Sequence, residues 1–67
     1  MMEKLPYWCI VQDKDGNLYT AATPVCLECP ILGMLVTVEV SDVNGMLSEV
    51  DGYLVEFDGV FNEVFLD

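Results

Sequence analysis

The sequence predicts an all-β, mainly antiparallel fold, on three observations. Met34 to Ser41 alternates strictly, with Met34, Val36, Val38 and Val40 on one side and Leu35, Thr37, Glu39 and Ser41 on the other, which is the period-two mark of a half-buried strand. Pro6 to Gln12 is rich in β-formers and runs into the polar turn Asp13-Lys14-Asp15-Gly16-Asn17. From Val43 onward the chain repeats every seven residues, each unit carrying Asn-Gly or Asp-Gly: Val43-Asn44-Gly45, Val50-Asp51-Gly52, Phe57-Asp58-Gly59. Those dipeptides are the strongest short-range hairpin signals. The expected product is one small acidic domain over residues 1–67. It would hold five or six strands in a meander, a bent sheet or a partly open barrel, with one short irregular or helical segment near 24–33.

Taken in order, Pro6 to Gln12 and Leu18 to Thr23 form the first hairpin across Asp13–Asn17, placing Tyr7, Trp8 and Tyr19 in its core or rim. Pro24 and Pro30 then limit any helix between them to one or two turns. After the alternating strand comes the seven-residue repeat, which also fits an amphipathic helix through Val43, Met46, Leu47, Val50, Tyr53 and Leu54. That helix would carry Gly45, Gly52 and Gly59 in its interior at about 1 kcal/mol each, along with many β-branched and aromatic residues. Hairpins suffer neither penalty, because the same glycines supply the positive φ that tight turns need.

With two-residue turns at Asp51-Gly52 and Asp58-Gly59, Met46, Ser48, Val50, Tyr53, Val55, Phe57, Val60 and Asn62 fall on the core face. The opposite face then carries Leu47, Glu49, Leu54, Glu56, Phe61, Glu63 and Phe65, a checkerboard of carboxylates and large apolar groups. Glu49, Glu56 and Glu63 would step diagonally across neighbouring strands at roughly 7–8 Å.

Sixty-seven residues are near the lower size limit for a self-sufficient core, and 54% of them are hydrophobic, which excludes intrinsic disorder despite a net charge of −10. The charge is uneven. Four acids against two lysines leave −2 in residues 1–33, whereas residues 34–67 hold eight acids and no cation. A field of one sign repels nucleic acid and anionic lipid and attracts basic partners within a Debye length, so direct nucleic-acid or membrane binding is not expected. Solubility of an apolar little protein is the plainer use of such acidity. No apolar stretch is long enough to span a bilayer as a helix, and Met1-Met2-Glu3-Lys4 leads into no signal-peptide core, so a cytoplasmic protein is expected.

Cys9, Cys26 and Cys29 are an odd count, against a disulfide framework. Cys26-Leu27-Glu28-Cys29 has the spacing of a metal knuckle, but with no histidine and one further cysteine a four-ligand zinc site is poorly supplied. Cys9 is expected in the core on a strand, and Cys26 and Cys29 as small buried groups in a loop. An EF-hand frame with Gly16 at position six puts Val11 at one and Ala22 at twelve, and the frame on Gly45 puts Val40 at one. Both frames lack ligands where calcium needs them. There is no histidine, arginine or phosphate loop, and no nucleophile beside a base. The expectation is a protein that is not an enzyme and that uses no metal or other cofactor.

In charge and size the chain resembles a type rather than a family: very small, strongly acidic proteins, several of them phage-encoded inhibitors, that bind the basic nucleic-acid groove of another protein. For a phage-encoded chain the compartment would be the host cytoplasm. DNA presents one negative charge per roughly 1.7 Å of axis, and ordered carboxylates can take its place on Lys and Arg sites. The residues expected to contact such a partner are Glu49, Asp51, Leu54, Glu56, Asp58, Phe61 and Glu63. A second reading is a homodimer, with the mixed acidic and apolar face, or an edge strand, as the subunit interface.

Overall fold

The structure, a computed structural model, describes residues 3–60. Strands β1 (Leu5–Gln12), β2 (Leu18–Thr20), β3 (Val25–Leu27), β4 (Leu35–Ser41) and β5 (Leu47–Gly59) form one open antiparallel sheet, and the described residues contain no α-helix. One edge of β1 is shared by β2, paired from Ile10↔Thr20 to Gln12↔Leu18, and β3, paired from Leu5↔Leu27 to Tyr7↔Val25. Along its other edge runs β5. β5 is long enough to serve two partners: Leu47 to Tyr53 pair with β4, and Tyr53 to Gly59 pair with β1. The segment after β2 reaches the far edge strand, where the Ala22 N–H donates to the Glu39 carbonyl at 2.7 Å.

The all-β expectation holds, and so does the first hairpin. Its turn is held by one side chain. Asp13 Oδ1 accepts the Asp15 and Asn17 N–H groups, each at 2.9 Å, while the Gly16 N–H donates to the Asp13 carbonyl at 3.1 Å and Gly16 takes φ +89°. The β4–β5 turn repeats this pattern. Asp42 Oδ1 accepts the Asn44 N–H at 2.8 Å and the Met46 N–H at 2.9 Å, with the Gly45 N–H on the Asp42 carbonyl at 3.0 Å and Gly45 at φ +83°. A short carboxylate three residues ahead of a left-handed glycine closes both loops.

The expected meander does not form. Asp51-Gly52 lies inside β5 and makes no turn, Asp58-Gly59 forms the last two residues of β5, and neither glycine has a positive φ. Three residues ahead of each stands a glutamate, Glu49 or Glu56, whose extra methylene puts the carboxylate beyond the local ring that Asp closes. The remainder of the repeat, with Phe61, Glu63 and Phe65, lies outside the described residues. Gly52 has a different task. A Cβ built there would stand 2.7 Å from Val11 Cγ2 and 2.8 Å from Val11 Cβ, so Gly52 is the gap into which β1 packs.

Straightening the repeat changes its faces. Val50, Gly52 and Leu54 point inward and Glu49, Asp51 and Tyr53 outward, so Leu54 is core and Tyr53 and Val55 are exposed, the reverse of the expected assignment. A register shift between Ile10 and Val11 pairs Ile10 with Glu56 but Val11 with Leu54, leaving Val55 as the extra residue of a β-bulge. Beyond it Phe57 is inward and Glu56 and Asp58 are outward. The core is Cys9, Val11, Ala21, Val36, Val38 and Leu54, with Tyr7, Tyr19, Val25, Met34, Val40, Val50 and Phe57 packed around it. Tyr7 meets Phe57 edge to face at 5.7 Å between ring centres. The alternation in residues 34–41 is as expected, with Val36 and Val38 buried and Leu35, Thr37 and Glu39 exposed.

Two outcomes follow from these contacts. Gly52→Ala forces a methyl into Val11 and lowers stability by about 1–3 kcal/mol in urea unfolding. Gly45→Ala, with open space around it, loses about 1–2 kcal/mol through backbone strain alone. Asn tolerates the left-handed conformation, so Gly45→Asn recovers much of that loss, whereas Gly52→Asn recovers nothing.

The second concerns acid. Hydrogen bonds from the Asn17, Asp15 and Tyr19 groups hold the Asp13 carboxyl below its ordinary 3.8. A carboxyl depressed by folding stabilises the fold above its unfolded value, and that contribution is lost as pH falls through the folded value. Asp13→Ala is therefore less stable than the natural chain by a constant margin above about pH 5. The margin narrows as pH drops below the ordinary value, as urea midpoints across pH will show.

Candidate functional site

A sheet with one covered face presents the other. Across the outer face, β4 contributes Leu35, Thr37, Glu39 and Ser41, and β5 contributes Leu47, Glu49, Asp51, Tyr53 and Val55, then Glu56 and Asp58. From β1 come Trp8, Ile10 and Gln12, flanked by Leu18 and Thr20 of β2. Glu39 lies directly opposite Glu49, a like-charge pair that disfavours the strand pairing it sits in. Beside it the Thr37 hydroxyl donates to Asp51 Oδ1 at 2.6 Å, and the Thr23 hydroxyl donates to Glu39 Oε1 at 3.2 Å. These hydroxyls fix two carboxylates in place without neutralising them.

Between the acids lie large apolar side chains. Leu35 is 61% exposed, Tyr53 49% and Trp8 39%, and they belong to the same outer face as the five carboxylates. The expected checkerboard therefore exists with different members. Glu49 and Glu56 are exposed on it as expected, and Asp51 and Asp58, expected in turns, join them there as strand residues. Leu54 is 1% exposed on the opposite side and contributes to the core instead. Tyr53 and Val55 take the apolar places assigned to Leu54 and Phe61. Phe61 and Glu63 are outside the described residues. Glu39 was missed, and Trp8, read as a core or rim residue of the first hairpin, joins the acidic face. The strict alternation of residues 34–41 put Glu39 on the polar side of its strand, and continuing that strand through one hairpin would have set it against Glu49.

The bulge brings a second feature. Trp8 pairs with Asp58 and Ile10 with Glu56, and around them a shallow hollow of about 170 Å³ opens between β1, β2 and β5. Ligand pockets run to roughly 300–1,000 Å³, so this one admits a side chain rather than a metabolite. Trp8, Cys9, Ile10, Thr20, Glu56, Phe57 and Asp58 line it, with no basic group among them.

The cysteines part from expectation. Cys9 is buried as foreseen, and burial pushes its thiol up. Cys26 and Cys29 are exposed, not buried, because β3 is an edge strand whose outward residue is Cys26 and the following bend turns Cys29 to solvent. Among the described residues no three Cys, Asp or Glu side chains converge as a metal site would need. Among them too, no helix is long and apolar enough to cross a membrane. A thiol reagent such as Ellman's should titrate two cysteines rapidly in the folded protein and the third, Cys9, only on unfolding.

Comparison with protein-family models, curated proteins and solved structures finds no match to this chain.

Proposed function

We propose that this chain is a non-enzymatic binding module that seats the basic surface of another protein against the outer face of its sheet, in the manner of an inhibitor that takes the place of nucleic acid. The observation that carries this reading is the composition of that face: Glu39, Glu49, Asp51, Glu56 and Asp58 interleaved with exposed Trp8, Leu35, Tyr53 and Val55. Acidity for solubility alone needs no ordered carboxylates between large apolar groups. Successive outward residues on β5 are about 7 Å apart, so Glu49 and Asp51 present a fixed pair to a row of Lys or Arg. The apolar side chains add burial that a charged polymer lacks, and desolvation around the charges strengthens the pairs they make.

Self-association through the same face is the second reading, favoured by the exposed apolar area of Leu35, Leu47 and Tyr53. Charge counts against it. Two copies meeting there would set five carboxylates against five, and the two lysines of the chain are too few to offset them, Lys4 standing ahead of β1 and Lys14 in the β1–β2 turn.

The test is a salt-stepped pull-down with immobilised protein, repeated with the variant E39Q/E49Q/D51N/E56Q/D58N. Proteins retained by the natural chain should elute progressively between low and moderate salt, be displaced by duplex DNA, and fail to bind the variant. Retention unaffected by salt, by DNA and by the five substitutions would show that the outer face is only a solvated surface.

A further inference from the structure

We infer that the hollow beside Trp8 is a seat for one arginine side chain of the basic partner. This rests on the binding reading above and specifies the chemistry of its anchor. The bulge at Val55 is what makes the seat. Were Val55 taken up by regular alternation, Glu56 and Asp58 would point into the core and Phe57 outward; because the bulge absorbs it, both carboxylates stand on the outer face, Asp58 across from Trp8 and Glu56 across from Ile10. Bulges re-aim side chains in this way beside functional sites. Directly opposed residues on paired strands have Cβ atoms about 4.5–5.5 Å apart and diagonal ones roughly 7–8 Å, so Asp58 stands beside the indole and Glu56 one diagonal step away.

Three properties select the guest. The hollow is lined by Trp8, Ile10, Thr20 and Phe57 together with Glu56 and Asp58, its surface is almost wholly apolar, and its volume of about 170 Å³ suits a single side chain with an apolar stem. Glu56 and Asp58 among these residues favour a cationic end on that stem, and the chain carries ten more acids than lysines and no arginine to offer one. Of the two basic side chains, arginine fits both demands at once. Its flat guanidinium stacks on an indole while its edge N–H groups reach carboxylates to either side, whereas an ammonium is a compact and strongly hydrated point charge. A second copy of this chain, having no arginine, cannot fill the seat in this way.

The experiment uses the full chain and fluorescein-labelled hexa-arginine, with hexa-lysine as control, followed by anisotropy at fixed ionic strength. Two charge-matched variants separate the seat from the general field: E56Q/D58N at the hollow and E49Q/D51N on the β4 side. Trp8→Leu removes the ring, and circular dichroism checks that each variant is folded. The inference expects hexa-arginine to bind at least several-fold tighter than hexa-lysine. It also expects E56Q/D58N to weaken hexa-arginine more than E49Q/D51N does, and Trp8→Leu to cost roughly 3–30-fold while largely removing the preference over lysine. Because Trp8 is the only tryptophan, its emission should also shift saturably with unlabelled hexa-arginine.

Equal weakening by the two double variants, with no arginine preference, would overturn the seat and leave the acidic binding face standing. Binding that none of the three variants alters would overturn both.

Discussion

The fold depends on the approach of β1 to β5 at Val11 and Gly52. Val11 is fully buried, and its side chain occupies the space a Cβ at Gly52 would need. That contact lets one thirteen-residue strand serve two ladders, with β4 on its first half and β1 on its second. The inner face then gathers Cys9, Val11, Val36, Val38 and Leu54 into one core. Few side chains are fully buried in so small a chain, and each of the larger ones contributes roughly 1.5–3 kcal/mol to holding the sheet together. A strained or padded contact at Gly52 would be felt across both ladders at once.

The bulge three residues further on is a separate constraint with an opposite consequence. Alternation alone would bury Glu56 and Asp58, at the large desolvation cost of unpaired carboxylates. Absorbing Val55 in a bulge keeps these polar residues toward solvent and Phe57 in the core, where it meets Tyr7. The same step that rescues the core places two acids beside Trp8. Core packing and the character of the outer face are thus decided by one irregular residue.

The electrostatics of that face run against the stability of the sheet. Glu39 opposite Glu49 gains nothing for the pairing of β4 with β5, and two lysines cannot neutralise twelve acids. Thr37 and Thr23 hydroxyls hold the acids by neutral hydrogen bonds, which orders them while leaving their charge intact. On the proposed reading, a cationic partner would relieve this repulsion on contact, a gain that would appear only in the complex.

Read alone, the sequence determined the all-β class, the first hairpin, the alternating strand at residues 34–41 and the concentration of charge in the second half of the chain. These are local properties: period-two patterning, an Asp that captures its own following N–H groups, and a charge count. The turn at Asp42–Met46 was legible for the same reason, and the position of its Asp three residues before Gly45 also distinguishes it from the Asp-Gly pairs inside β5. What only the tertiary structure decided is the role of Gly52, which depends on Val11 forty-one positions away in the chain. The bulge at Val55 is likewise set by the register of β1 against β5. In a strand every side chain changes face with a shift of one residue. Misplacing two turns therefore exchanged Leu54 for Tyr53 and Val55 while leaving Glu49, Asp51, Glu56 and Asp58 on the outside, because an unpaired carboxylate has its own physical reason to face water.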